Sequence, residues 1–159
     1  MYKKILSLNI KRIITDTDLD GVVTGAILKR YWKDAEVIFT QPGQLRSGIL
    51  DDKIDISTAI CDLPYHPKCG LNIDHHQSNK PNKELEIKGV VAWEDSPSAA
   101  RIAYNIISNE LDLTDLDELL IWVDKLDSGK ISKDEYLSEN NVLWLGRIIG
   151  DDPKIASYI

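Results

Sequence analysis

The sequence predicts an α/β fold in which a mostly parallel sheet of about five strands is flanked by helices, with a helical C-terminal half. Two patterns carry this prediction. In the first half of the chain, short apolar runs rich in isoleucine and β-branched residues alternate with helical or polar segments. In the second half, capped amphipathic segments dominate. A chain of 159 residues is long enough for one domain with a real core, so we expect a single domain over 1–159.

Five short apolar runs are predicted to be buried strands. They are "IKRIIT" (10–15), "AEVIFT" (35–40), "ISTAIC" (56–61), "LNI" (71–73) and "GVVAW" (89–93). Between the first two lies "GVVTGAILKRYWKD", which has apolar residues at the spacing of one helical face: Val22, Ala26, Leu28 and Trp32. The order strand, helix, strand is that of a βαβ unit with a right-handed crossover, so we expect the sheet to be parallel.

Three further helices are predicted in the second half. The first, in "SPSAARIAYNIISNEL", begins with Ser96 as its N-cap and Pro97 at the first helical position. The second, in "TDLDELLIWVDKLDSG", begins at the cap Thr114 and stops at Gly129. The third is "NNVLWLGRIIG" at 140–150.

The tetrapeptide "TDLD" occurs twice, at 17–20 and at 114–117. The second copy opens a predicted helix, where a threonine cap and acids in the first turn suit the exposed N–H groups and the positive end of the dipole. The first copy follows a strand and has an additional acid, Asp16, in front of it. Capping alone therefore does not account for the charges of the first copy.

The overall composition restricts the classes of function. The formal net charge is −7 and no long basic block is present, which argues against a general duplex-binding surface. No apolar run approaches the roughly 20 residues of a membrane helix, and no signal cleavage site is apparent, so we expect a cytoplasmic protein. Cys61 and Cys69 form no CxxC pair, which favours reduced, partly buried thiols. The oligomeric state stays open.

Three of the apolar runs end in an aspartate. These acids are Asp16, Asp62 and Asp74. The carboxyl ends of parallel strands meet at one edge of a sheet, which is where ligands bind in such folds. One acid at a strand end is common in turns and caps, but three at one edge predict a site for cations.

A histidine pair and a helical aspartate extend this acidic set. His75 and His76 directly follow the fourth predicted strand; neutral imidazole is a common metal ligand, and a neighbouring carboxylate can orient the ring. Asp124 lies at the edge of the buried stripe of its helix and near the negative end of the dipole, where a cation would stabilise it. The alternative for Asp124 is a surface acid neutralised by Lys125 or Lys130.

The ligand types indicate which metal to expect. Oxygen-rich ligands with one or two imidazoles suit Mn²⁺ or Mg²⁺ better than they suit a thiolate-type zinc site. The acids are too many for one ion in an enzyme that must leave positions open. Two ions about 3.5–4 Å apart, which share a bridging carboxylate and a bridging water, are the known arrangement for phosphoryl chemistry. We therefore predict two Mn²⁺ ions as cofactors, with Mg²⁺ as the alternative.

Two other motifs begin in the same way. An EF-hand loop opens D-x-D-x-D-G, as do Asp16, Asp18, Asp20 and Gly21, but its twelfth position would be Ile27 instead of a bidentate glutamate. The haloacid dehalogenase-like phosphatase motif would use Asp18 as the nucleophile in "DLDGVVT". That motif normally follows its strand directly, and it would leave "IDHH" without a role, so we keep it as a minor alternative.

Four motifs in order, "DTDLDG", "CDLP", "IDHH" and "WVDKLDSG", resemble those of the DHH phosphoesterase superfamily. This superfamily includes RecJ-type exonucleases, nanoRNA and cyclic-dinucleotide phosphodiesterases, exopolyphosphatases and family II pyrophosphatases. The motifs span Asp16 to Gly129 and are specific only as a set. The D-x-D-x-D-G form is similar to that of the RecJ-like and archaeal branches.

The resemblance implies a role for each motif residue. The metal ligands would be Asp16, Asp18, Asp20, Asp62, His75 and Asp124. Asp62 would bridge the two ions, Asp74 would orient His75, and His76 would face the substrate phosphate. The catalytic residues would thus be Asp62, Asp74 and His76, with His76 or a metal-bound water protonating the leaving oxygen.

The activity implied is hydrolysis of a phosphodiester or phosphoanhydride by a bridging hydroxide. The substrate would be a short oligonucleotide, a cyclic dinucleotide, polyphosphate or pyrophosphate. Members commonly carry a second, DHH-associated domain, and nothing after Gly129 resembles it, so the chain is either the N-terminal part of a longer protein or a short form. A non-catalytic metal or nucleotide-binding module is the alternative function. We expect the basic residues that could contact phosphate to be ordinary surface charges: Arg46, Lys88, Arg101, Lys125 and Arg147.

Overall fold

A computed structural model describes residues 1–82, 86–149 and 153–157 of the chain. The strands are β1 (Arg12–Thr15), β2 (Glu36–Phe39), β3 (Thr58–Cys61), β4 (Leu71–Asp74) and β5 (Val90–Trp93). They form one five-stranded sheet in the order β2-β1-β3-β4-β5, and every pair is parallel. The predicted α/β class and the five predicted strands are confirmed.

Eight α-helices are present in the described residues. They are α1 (Tyr2–Leu6), α2 (Leu19–Tyr31), α3 (Pro42–Arg46), α4 (Ala99–Ile107), α5 (Asp117–Asp127), α6 (Lys133–Tyr136), α7 (Asn141–Ile149) and α8 (Pro153–Ala156). The sequence predicted the four long helices α2, α4, α5 and α7 but missed the four short ones, because four or five residues are too few for a periodic pattern. Residue 150, the end of the predicted last helix, lies outside the described residues. No helix in the described ranges has the length and apolar character needed to cross a bilayer.

Two of the predicted helix starts are wrong by a few residues. Helix α4 is capped by Ser98 instead of Ser96, because Ser98 is extended and its hydroxyl accepts a hydrogen bond from the Arg101 N–H at 3.0 Å. Helix α5 begins only after a 3₁₀ turn at Thr114–Leu116. Thr114 does not cap it, since its hydroxyl and its N–H both donate to Asp112.

The core lies on both faces of the sheet. Strands β3 and β4 are buried along their whole length, as expected for central strands of a parallel sheet covered on both sides. The larger cluster packs α2, α4 and α5 against one face, around residues such as Ile13 and Ile73. A smaller cluster around Ile14 and Ile60 covers the other face, where Leu45 of α3 contributes. Packing on both faces therefore fixes the positions of the carboxyl ends of β3 and β4 relative to each other.

The strand order reverses between β1 and β3. From β1 the chain crosses through α2 to β2 on one side and later returns to place β3 on the other side. Ligands of open α/β sheets bind in the crevice at such a reversal. The register pairs Thr15 with Cys61 and Cys61 with Ile73, so Asp16, Asp62 and Asp74, the next residues along these strands, lie in one row.

Candidate metal centre

The turn from β1 into α2 positions the first acidic motif. Asp18 is the N-cap of α2, and its Oδ1 accepts a hydrogen bond from the Gly21 N–H at 2.9 Å. Asp16 Oδ1 accepts from the Thr17 N–H at 2.6 Å. A Cβ at Gly21 would lie 2.4 Å from the Asp16 carbonyl oxygen. Only glycine fits this turn, which folds the carboxylates of the motif toward the end of the sheet.

Asp20 is held by the first turn of α4. Its Oδ2 accepts from the Ala99 N–H and its Oδ1 from the Ala100 N–H, both at 2.8 Å. The side chain is buried, with 2% of the residue exposed. The exposed N–H groups and positive dipole end of a helix stabilise a carboxylate there. Helix α4 therefore fixes the position of an acid that is about 80 residues away in the sequence.

Asp62 follows β3 in a strained backbone conformation. It has φ = +56° and is the one non-glycine residue with positive φ among the described residues, a conformation that aspartate tolerates better than most residues do. The residue is 1% exposed, and neither carboxylate oxygen accepts a hydrogen bond. Strain of this kind costs about 1–3 kcal/mol and is typical of functional sites.

The strand-end acid Asp74 orients the second histidine. Its Oδ1 accepts from the His76 N–H at 3.0 Å and lies 2.9 Å from His76 Nδ1. The expectation that Asp74 orients the His75 ring is not met. Instead, the Ser96 carbonyl lies 3.1 Å from His75 Nδ1. With the proton assigned to Nδ1 for this hydrogen bond, the Nε2 lone pair of His75 is free for a ligand.

The Nε2 atom of His75 lies among three carboxylates. It is 3.6 Å from Asp20 Oδ2, 3.6 Å from Asp62 Oδ1 and 3.0 Å from Asp127 Oδ2. Asp62 Oδ1 is also 3.5 Å from His76 Nδ1. Two groups with metal-ligand spacing result, Asp20–His75–Asp127 and Asp62–His75–His76, each with its ligand atoms within 4.8 Å of one another. We call these residues, with Asp16, Asp18 and Asp74, the acidic cluster.

The acid of α5 that faces this cluster is Asp127, and the predicted ligand Asp124 lies apart from it. Asp124 Oδ1 accepts from the Ser98 hydroxyl at 2.7 Å, and its Oδ2 accepts from Arg101 Nε at 2.9 Å. Both acids occur in the motif "WVDKLDSG", three positions apart. Asp127 was missed because a position at the end of a helix, just before a glycine turn, resembles an ordinary surface acid.

The segment 96–101, which we call the connector, contacts three elements of the site. The Ser96 carbonyl contacts His75 after β4, and the N–H groups of Ala99 and Ala100 hold Asp20 on α2. Ser98 and Arg101 hold Asp124, one helical turn before Asp127 on α5. The connector therefore determines how three separate parts of the cluster are placed relative to one another.

Burial and the repulsion of neighbouring acids raise the pKa values of Asp16, Asp20 and Asp62. Burial, with repulsion from Asp127, raises the pKa of Asp20 to about 7. The pKa of Asp62 is raised well above its ordinary value by burial and by the neighbouring acids Asp20 and Asp18. Burial likewise raises the pKa of Asp16 to about 6. Without a cation, the cluster must take up protons to reduce its charge.

The pKa of His75 also shows that the cluster attracts positive charge. Burial lowers the pKa of His75, but the carboxylates of Asp127 and Asp20 outweigh burial and raise it to about 9. The pKa of His76 is raised mainly by its hydrogen bond to Asp74. A proton on His75 would occupy the place that a metal ion could fill.

Several buried polar atoms of the cluster have no hydrogen-bond partner, and this tests whether cations fit. They are Asp62 Oδ1, Asp62 Oδ2, Asp74 Oδ2, His75 Nε2 and Asp127 Oδ2. Buried carboxylates without partners are costly unless a cation compensates them. The donor set is carboxylate and imidazole, with both cysteines free and buried, which suits Mn²⁺ or Mg²⁺. The residues present therefore fit divalent cations.

A groove of about 350 Å³ lies beside the cluster. Asp18, Asp20 and Asp127 line it together with residues of α5, α6 and α7: Val123, Leu126, Tyr136, Leu143, Gly146 and Arg147, and Leu19 of α2. We call it the α5–α7 groove.

The five basic residues named from the sequence have different surroundings. Arg101 is bound to Asp124, Lys125 pairs with Glu135, and Arg147 lines the groove. Neither Arg46 nor Lys88 lines the α5–α7 groove.

The strand order, the row of strand-end acids and the histidine pair are consistent with a phosphoesterase-type α/β domain. Among solved structures, the chain is similar to a pGpG-specific phosphodiesterase, PggH from Vibrio cholerae, with a TM-score of 0.70 and 27% identity over 87% of this chain. The chain spans 44% of the length of PggH. This similarity supports, in coarse terms, the DHH-like phosphoesterase fold that the motifs predict.

A second similar structure is an uncharacterized protein from Helicobacter pylori G27, with a TM-score of 0.46 and 16% identity over 87% of this chain and 48% of the other. It is too distant to carry an argument. No protein-family model and no curated protein matches the sequence.

Proposed function

We propose that this chain is a metal-dependent phosphohydrolase domain that cleaves phosphodiesters at the acidic cluster. The observation that carries this proposal is the buried carboxylate of Asp62 at the reversal of the strand order, whose two oxygens have no hydrogen-bond partner and which lies 3.6 Å from His75 Nε2. Such an arrangement has no purpose in packing, because it costs free energy unless cations bind. The similarity to a phosphodiesterase supports phosphate chemistry at this edge of the sheet.

The proposed ligands follow the sequence prediction with one change. Asp127 replaces Asp124, and the set becomes Asp16, Asp18, Asp20, Asp62, His75 and Asp127. Asp62 lies between the two histidines and is the residue best placed to be shared by two ions. Bound Mn²⁺ or Mg²⁺ would neutralise the phosphoryl oxygens and lower the pKa of water, so that a nucleophile is present near neutral pH.

His76 is the proposed proton donor to the leaving oxygen. Its ring is half-exposed, with 44% of the side chain accessible, whereas the side chain of His75 is 10% exposed. The hydrogen bond to Asp74 raises the pKa of His76, which favours the protonated ring that a general acid needs. Asp74 thus holds the orientation of His76 and favours its protonated form.

A short nucleotide is the substrate that we favour. PggH acts on pGpG, a linear dinucleotide, and the net charge of −7 disfavours long duplexes. Cyclic dinucleotides, polyphosphate and pyrophosphate are the other members of the substrate class that the motifs imply.

The test is hydrolysis by the purified chain with added Mn²⁺. We expect release of mononucleotides from pGpG, a loss of activity with EDTA and recovery with Mn²⁺. The variant Asp62→Asn removes one charge without changing the shape of the side chain, and it should lose at least about 100-fold in rate, as metal-ligand removal does. Asp52→Asn, at an exposed acid, is the matched control. Bound Mn²⁺ without turnover of any phosphate compound would favour the non-catalytic binding module instead.

A further inference from the structure

We propose that the α5–α7 groove holds the nucleobase and sugar of the substrate while the phosphate lies at the acidic cluster. This inference rests on the proposed function and specifies its substrate class. The groove is lined both by Asp18, Asp20 and Asp127 of the cluster and by side chains of α7. When the phosphate of a ligand contacts the cluster, the group attached to that phosphate can therefore reach the groove.

The walls of the groove favour an aromatic ring over a second phosphate. Apart from the acids, most of its lining is apolar and comes from Leu19, Val123, Leu126 and Leu143. Pyrophosphate and polyphosphate are hydrated anions, which gain nothing from apolar walls and are repelled by the acids. A nucleobase has two apolar faces that such walls can cover. A volume of about 350 Å³ is at the lower end for small-molecule sites, which suits one nucleoside.

Arg147 gives the groove a planar cation. Its guanidinium carbon lies 4.6 Å from the centre of the Tyr136 ring and 5.1 Å from that of Trp144, and Nη2 donates to the Tyr136 carbonyl. Contacts to two rings and one carbonyl hold the guanidinium plane in place. The planar group offers donors that match the acceptor edge of a purine, above all the O6 and N7 atoms of guanine.

Gly146 keeps the groove open. A glycine inside a helix lowers helix stability, yet it occupies the face of α7 that lines the groove. A Cβ at this position would lie 3.5 Å from Leu19 Cδ2 and 3.7 Å from Leu126 Cδ1, which is ordinary contact. Alanine would therefore fit, whereas a longer side chain would fill the space that we assign to the base.

The variant Gly146→Leu tests this assignment. Binding is measured by calorimetry with Mn²⁺ present, using a hydrolysis-resistant phosphorothioate analogue of pGpG and, separately, inorganic pyrophosphate. We expect Gly146→Leu to weaken binding of the dinucleotide by about tenfold or more, and to change pyrophosphate binding by less than about twofold. Ile148→Ala is the matched control, because Ile148 is an exposed residue on the same helix that does not line the groove.

A second variant covers the case in which Gly146→Leu fails to fold, as judged by its thermal melt. Arg147→Gln removes the guanidinium from an exposed position and should also weaken the dinucleotide selectively. Equal dinucleotide binding by wild type and the folded groove variants would overturn the groove assignment, and so would the absence of dinucleotide binding to wild type. Gly146-dependent binding without hydrolysis would contradict the proposed function and leave the groove assignment standing.

Discussion

At the scale of single residues, Asp62 shows most directly what the site requires. It is buried, lacks hydrogen-bond partners and has a left-handed backbone. Asparagine has nearly the same shape and tolerates the same backbone conformation. The substitution Asp62→Asn therefore changes the charge at this position while leaving the packing nearly unchanged.

We predict opposite effects of Asp62→Asn with and without metal. Without metal, the variant should raise the free energy of unfolding by roughly 1–3 kcal/mol, because it removes a buried carboxyl group that must either hold an unpaired charge or take up a proton. With Mn²⁺, it should lose most of the stabilisation that wild type gains. Thermal melts of both proteins with EDTA or Mn²⁺ measure this. A variant that is less stable than wild type in EDTA would contradict the explanation.

A second residue-scale prediction separates the two acids of α5. Asp127→Asn should weaken Mn²⁺ binding at least about tenfold, because Asp127 Oδ2 lies 3.0 Å from His75 Nε2. Asp124→Asn should instead reduce stability by about 1–2 kcal/mol, through its contacts with Ser98 and Arg101. Metal titration and urea unfolding of both variants distinguish these effects. A larger loss of affinity in Asp124→Asn would restore Asp124 as the ligand.

At the scale of elements, the turn from β1 into α2 combines a helix cap, a tight turn and three proposed metal ligands in six residues. The turn depends on Gly21, where a Cβ would meet the Asp16 backbone at 2.4 Å. Backbone atoms of a strand end cannot move aside as a flexible side chain can. The conformation of this turn therefore sets the positions of the carboxylates that precede it.

Gly21→Ala should destabilise the protein by about 2 kcal/mol or more, since relieving the clash must displace the end of β1 or the first turn of α2. Gly43→Ala in α3 is the matched control, because a Cβ at Gly43 would have no neighbouring atom within 4 Å, and its effect should stay within about 0.5 kcal/mol. Urea unfolding measures both. Equal stability of the two variants would show that the turn can relax without cost.

The connector is the other element on which the site depends. Its contacts with His75, Asp20 and Asp124 come from backbone groups and from the cap of α4. Backbone groups leave no signature in the sequence, so only Ser98 and Arg101 could have indicated it. The sequence placed the start of this helix at Ser96, two residues too early, and therefore did not show which N–H groups would face Asp20.

At the scale of the whole molecule, the cluster links stability to pH and to metal. The pKa of Asp20 is raised from 3.8 to about 7, so its contribution to stability is present below pH 4 and is lost as the pH rises toward 7. The pKa of His75 is raised from 6.5 to about 9, so its contribution is present below pH 6.5 and is lost as the pH rises through 9. Both groups therefore favour the metal-free fold at lower pH.

We accordingly predict that the metal-free protein melts at a higher temperature near pH 5 than near pH 8, because the raised pKa values of Asp20 and His75 favour the fold at lower pH. Saturating Mn²⁺ should stabilise the protein more near pH 8, because cations and protons compete for the same carboxylates and imidazole. Thermal melts at the two pH values, with EDTA or Mn²⁺, measure this. If Mn²⁺ shifted the melting temperature equally at both pH values, metal binding would not be coupled to protonation of the cluster. The Asp62→Asn protein, which lacks one of the proposed ligands, is measured alongside as the reference.

The sequence by itself determined the parallel α/β fold and the row of acids at its edge. Three local patterns indicated them: runs of β-branched residues, a helix between two strands, and an aspartate after three of the runs. Such patterns can be predicted from the spacing of residues along the chain. The roles of the individual ligands remain a proposal. Only the tertiary structure decided that Asp127 faces His75 while Asp124 contacts Arg101, because the two acids lie on one helix and packing alone sets its rotation. Tertiary structure also decided that α4 holds Asp20, since that contact joins backbone groups to a side chain about 80 residues away.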